Sequence, residues 1–139
     1  MAVQATTESR QSVAKTLGEY GSYFLSVVKL AEEITGKRID AVEAFVRFHE
    51  KKYLDNEATM LNPETILSEL TGKRFSVRKE SAEYKTTERE HEILLFANAK
   101  YQHFVLGNGK GAVFYDPLGS SNSVATGSLV GKRIFTPLS

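Results

Sequence analysis

The sequence contains no cysteine, which excludes disulfide bonds and thiolate metal sites. An excess of either charge is missing as well: 18 Lys and Arg stand against 17 Asp and Glu, a net charge of +1, with no basic block and no acidic tail. The bulk field that drives non-specific binding to nucleic acid or anionic lipid is therefore weak, and neither a nucleic acid nor a membrane surface is expected as a partner. Long apolar runs are also lacking. A stretch such as Ile93 to Ala97 falls far short of the roughly 20 residues that a membrane span needs. The N-terminus carries no basic-then-apolar signal segment, so a cytoplasmic location is expected. The three histidines, His49, His91 and His103, are scattered rather than spaced as zinc ligands, and no metal or cofactor is expected.

What is present is ordinary globular material. Of 139 residues, 41% are apolar and ten are glycine, usage that predicts one domain over 1–139 with a full-sized core, led by a loose or weakly helical segment over 1–12. Gly18 and Gly21 break the chain before a helix at 22–35, whose apolar positions Phe24, Leu25, Val27, Val28, Ala31 and Ile34 recur at helical spacing and which Gly36 caps. Asp40 and Glu43 form a capping box for a second helix running to about Tyr53, with Val42, Phe45, Val46 and His49 on one face. Asn62, Pro63 and Gly72 delimit a third helix at about 63–70. After Gly72 the period falls to about two. Strands are expected at 74–79, 92–97, 101–106, 112–115 and 132–136, with Gly107-Asn108-Gly109-Lys110-Gly111 as a hairpin turn rather than a phosphate loop, since no helix follows it. The polar segment 79–92 is expected to be an exposed loop carrying a solvated His91, and His49 is expected to be solvated too. Helices first and strands afterwards predict an α+β fold, the 22–35 helix lying on one face of an antiparallel sheet.

Three places invite a chemical reading. Gly21-Ser22-Tyr23-Phe24 puts a small polar residue at the start of the central helix, Gln102-His103-Phe104-Val105 puts an imidazole on a strand, and Val113-Phe114-Tyr115-Asp116-Pro117 puts an acid at the end of the next strand. A turn centred on 107–111 pairs His103 with Tyr115, which would bring Asp116 close to His103 if their faces match. A carboxylate on one ring nitrogen fixes the tautomer and leaves the other nitrogen free to act as a base. A helix N-terminus suits a nucleophile because its amides stabilise a thiolate and can donate to an oxyanion, though a hydroxyl gains less from them. Tyr20, Tyr23, Phe24, Tyr101 and Phe104 have spacings that suit either a cleft beside such a site or the core. Taken singly, Ser22 also reads as a helix cap, His103 as a core histidine and Asp116-Pro117 as turn chemistry.

The order nucleophile-helix, His-strand, acid-strand resembles that of the papain-like cysteine peptidases. His103-Phe104-Val105-Leu106 and Tyr115-Asp116-Pro117-Leu118-Gly119-Ser120-Ser121 are similar to the HFV and YDP-G-S pattern of the bacteriocin-processing, double-glycine-leader branch. The chain is nearer still to small phage- and bacterial-type papain-like proteins, through Gly21 to Phe24 and a last strand like Lys132 to Phe135. The resemblance covers about residues 17–136. It implies a papain-like fold, thiol peptidase or acyl-hydrolase activity, a peptide or protein as substrate with a host protein factor among the partners to test, and three roles: nucleophile position at Ser22, base at His103, orienting acid at Asp116.

Two departures accompany it. The family residue at position 22 would be Cys, so the serine implies a form whose thiol has been replaced and whose activity is lost, or a natural pseudoenzyme that binds a peptide or protein. The oxyanion-hole Gln expected about six residues before the nucleophile falls on Thr16. Gln11 is too distant, Glu19 has the wrong charge and Gln102 should point to the other strand face, which leaves the amide of residue 22 as a donor candidate and a second donor unassigned.

Overall fold

A computed structural model describes residues 7–119, 124 and 126–138. Four helices come first, α1 (Thr7–Tyr20), α2 (Ser22–Thr35), α3 (Ala41–Glu50) and α4 (Pro63–Thr71), followed by five strands, β1 (Phe75–Glu80), β2 (His91–Ala97), β3 (Gln102–Gly107), β4 (Val113–Tyr115) and β5 (Ser128–Pro137). The strands form one antiparallel sheet in the order β1-β5-β2-β3-β4. The architecture is therefore α+β. Ser120 and Ser121 of the sequence pattern lie outside the described residues. Among the described residues no helix is long and apolar enough to cross a membrane.

The helices end where backbone chemistry ends them. Gly36 and Gly72 adopt left-handed conformations, φ 70° and 73°, and their amides bond back to Glu32 and Ser68, the geometry that glycine enters without Cβ strain. Asp40 accepts from the amides of Val42 and Glu43, satisfying two orphan donors of α3. Asn62 precedes α4 without making a side-chain cap bond, and Pro63 supplies the start. Two expectations need correction here. Residues 7–12 belong to a regular helix, and Gly18 lies inside it, so only Gly21 breaks the chain. A Cβ on Gly21 would come within 2.7–2.8 Å of Leu17, and this contact is why the two helices can meet with a single residue between them.

The buried cluster draws on every helix and on β1, β2, β3 and β5, with Phe24, Val27, Ile66, Leu67, Ile93 and Phe135 fully enclosed. α2 is its centre, packing on β3 and α4. On the opposite face of the sheet lies a charged pair. Glu92 and Lys132 are 1% and 3% exposed and bond at 2.9 Å. Thr86 also donates to one Glu92 oxygen, and the amides of Gly109 and Gly111 donate to the other. Burial alone would raise the Glu92 pKa, but bonds from Thr86, Lys132 and the Gly111 amide, with the Lys132 charge, hold it below the ordinary glutamate value. This clasp ties the tip of the β3–β4 hairpin to β2 and to the 81–90 segment.

His91 also departs from expectation. It opens β2 and is half-buried against the Phe75 ring, and burial lowers its pKa. His49 contacts Asn56 at 2.7 Å and stacks on Phe45.

Candidate active site

The β3–β4 hairpin delivers the first contact. His103 Nε2 lies 2.6 Å from Asp116 Oδ1, the two side chains 6% and 5% exposed. The register that achieves this differs from the one read off the turn: Leu106, not His103, pairs with Tyr115, and Gly107 pairs with Val113 across an irregularity. Had His103 faced Tyr115, Asp116 would have stood opposite Gln102, on the wrong side of the pleat. The observed register sets Asp116 beyond β4 opposite Val105, on the His103 face and diagonal to it, within reach of a side-chain contact. The Leu118 amide donates to the same Asp116 oxygen at 2.9 Å, anchoring the acid.

The second ring nitrogen, Nδ1, makes no hydrogen bond among the described residues, yet no buried side-chain nitrogen or oxygen among them lacks a partner. Nδ1 must therefore open to space. His103 itself lines a cleft of about 710 Å³ whose walls also include Ser22, Tyr23, Gln102, Phe104 and Leu118. Of the aromatic residues with two readings, Tyr20, Tyr23, Tyr101 and Phe104 line this cleft, while Phe24 is wholly buried in the core.

Ser22 is the first residue of α2, with Gly21 in the cap position, so it is not itself the cap. Its hydroxyl does not bond His103; it accepts the backbone N–H of Phe104, the next residue along β3, at 3.1 Å. Four residues on, the Ser26 hydroxyl donates to the Ser22 carbonyl at 2.8 Å and sits 3.4 Å from the Phe104 carbonyl. β4 leaves β3 after Leu106, and the start of α2 takes over the exposed edge. Tyr23 then stacks on the Phe104 ring at 4.5 Å and meets Phe135 edge-on. Burial pushes the Tyr23 hydroxyl well above its ordinary pKa despite the opposing charge of Arg133. The structure thus joins His103 to Asp116 and puts Ser22 on the same cleft, bonded to the neighbouring amide instead of the imidazole.

Of the residues weighed as oxyanion donors, Thr16 donates to Ser12 within α1, whereas Gln102 is exposed and lines the cleft. The Ser22 amide belongs to the first turn of α2, whose N–H groups have no partner inside the helix. The Phe104 amide was not foreseen. Nothing in a side-chain pattern reports a main-chain N–H, and only the early end of β4 frees it. Among the described residues no group of three or more His, Asp or Glu is placed to hold a metal ion.

No curated protein and no solved structure shows significant similarity to the chain. Residues 4–137 match the family described as "Protein of unknown function, DUF261", and the chain belongs to that family.

Proposed function

We propose that the chain has the framework of a papain-like thiol peptidase or related acyl-hydrolase, with serine standing at the nucleophile position and activity accordingly lost. The observation that carries this reading is the buried His103–Asp116 contact, with the second ring nitrogen unbonded among the described residues, on the cleft that Ser22 also lines. In this reading Asp116 holds the imidazole with Nδ1 toward position 22. A thiol there gives its proton to Nδ1, the thiolate attacks the substrate carbonyl carbon, and the imidazolium then protonates the departing amine. Water, deprotonated by the same nitrogen, releases the acyl group and restores the thiol. The helix N-terminus and the Phe104 amide both favour the thiolate. A serine hydroxyl is far harder to ionise, and here its oxygen is taken by Phe104 N–H. The substrate is a peptide or protein, and action in the cytoplasm, where a thiol stays reduced, is part of the proposal.

The test is Ser22→Cys. Its thiol should react with iodoacetamide near neutral pH at least tenfold faster than the same variant carrying His103→Ala. Equal, slow reaction in both overturns the proposal.

A second reading is favoured by the Ser22–Phe104 bond itself, which gives the serine a structural occupation: the chain is a pseudoenzyme whose cleft binds a peptide or protein without chemistry. A slow S22C thiol together with retained peptide binding supports it, and a fast one removes it.

A further inference from the structure

The cleft extends beyond Ser22 and His103. At its far side Val77 and Lys79 of β1 and Arg133 of β5 form part of the wall. Lys79 stands directly opposite Arg133 in the β1–β5 ladder, and like charges facing one another across strands destabilise a sheet. Each lacks a carboxylate partner among the described residues. Glu57 also lines the cleft, and Glu64 is near enough to act electrostatically on Tyr23, but neither ion-pairs with Lys79 or Arg133. The contrast with Arg78 is direct: this neighbouring arginine also lines the cleft but bonds both Glu80 and Glu90.

Arg133 is half-buried, and its guanidinium leans toward β3, 5.5 Å from the centre of the Phe104 ring that stacks on Tyr23. The ring holds the planar group in place; Nη1 donates weakly to the Lys132 carbonyl at 3.4 Å, and the remaining donors can fork onto a carboxylate. An opposed cation pair without a carboxylate partner, in a cleft walled also by Tyr23 and Phe104, is what an incoming anion would relieve.

We infer that Arg133, assisted by Lys79, is the specificity subsite of this cleft and receives the side-chain carboxylate of a Glu or Asp in an extended peptide. The inference rests on the reading of the cleft as a peptide site, and it adds where along the peptide the acid falls. β5 is two strands from β3, roughly 10 Å at the usual spacing. His103 and Arg133 lie on opposite faces of the sheet, so the peptide must round the edge of β3. At roughly 3.4 Å per extended residue, the acidic residue therefore stands three or more positions from the bond presented to His103.

The experiment uses the chain as it stands and N-acetylated, C-amidated hexapeptide pools in which one position at a time is fixed as Glu, Gln or Lys. Binding is read from the NMR signals of the Phe104 amide and the Arg133 side-chain N–H. At one or two positions Glu should bind at least tenfold more tightly than Gln, and Lys least. Arg133→Gln should abolish the preference, and Arg133→Lys should retain part of it, since charge survives but the fork does not. Lys79→Gln should weaken the preference yet melt no lower than the parent, because it removes a repulsion. Equal binding of Glu and Gln pools, an undiminished preference in R133Q, a lower melting point in K79Q, or no response to any pool overturns the inference. If Gln peptides with a free C-terminus match the Glu pools, the carboxylate is the chain end and the side-chain assignment falls. Alkylation of the S22C thiol uses neither cation, so a slow thiol with an intact Glu preference defeats the catalytic reading alone. A fast thiol without the preference defeats only this subsite.

Discussion

Two ionisable pairs lie on the same face of the sheet, and they are built differently. Lys132 is opposite Leu94, Leu94 is opposite Val105, and His103 follows two residues along β3, so both pairs belong to one surface of the pleat. In the Glu92–Lys132 pair both carboxylate oxygens are taken, by Thr86 and two turn amides as well as by lysine, and Lys132 also donates to the Tyr84 carbonyl. In the His103–Asp116 pair one ring nitrogen is held and the other makes no hydrogen bond among the described residues. A buried pair with every bond satisfied secures geometry, whereas one with a ring nitrogen left over can still receive a hydrogen-bonding ligand. Burial and pairing alone do not separate the two roles; the unspent hydrogen-bonding capacity does.

The largest test of that distinction is to cut the clasp. Glu92→Ala leaves the Lys132 ammonium buried without its partner and should cost about 3–5 kcal/mol in denaturant unfolding. Replacing both residues by apolar side chains of similar size should restore much of the loss. In the S22C background, Asp116→Asn should slow thiol alkylation roughly tenfold or more with little change in melting temperature, a pattern opposite to that of the clasp.

Acid should separate the pairs as well. The Glu92 pKa is lowered in the folded state from 4.5, so its contribution is complete above that pH and is lost as pH falls through the lowered value. Unfolding followed below pH 4.5 should show a slope that Glu92→Gln flattens. The smallest effect is expected for His103→Ala, about 1 kcal/mol or less, because the Asp116 carboxylate keeps the Leu118 amide as a donor and the space vacated by the ring adjoins the cleft that His103 lines. A loss as large as that of Glu92→Ala would remove the contrast between the two pairs.

The sequence exposes the elements more readily than their register. The α2 stripe, the glycine caps at 36 and 72 and the change to period two after Gly72 are local signals, and each appears where its spacing places it. α1 was hidden because its segment is short of large apolar residues and buries mainly Leu17. The His103–Asp116 contact was legible only as neighbouring strands. The face depended on where the hairpin ladder slips, which is decided by the Gly-rich turn anchored on Glu92 and not by alternation within either strand. Glu92 itself could have been noticed as a charge heading the apolar run 92–97, with Lys132 as its counterpart at the start of the last apolar stretch. The relation of Ser22 to Phe104 was beyond such reading, since it joins a side chain to a main-chain group 82 residues away.

The early departure of β4 has a consequence for how copies of this protein meet in solution. Past Leu106 the outer edge of β3 has no strand beside it among the described residues, and an uncovered edge recruits strands from other molecules. The hydroxyls of Ser22 and Ser26 cover that edge by occupying the Phe104 backbone groups. Position 22 is thus the stopper of the sheet as well as the candidate seat of chemistry. Any residue installed there for catalysis must also keep this edge closed, and a valine, which can do neither, should make the protein self-associate through β3.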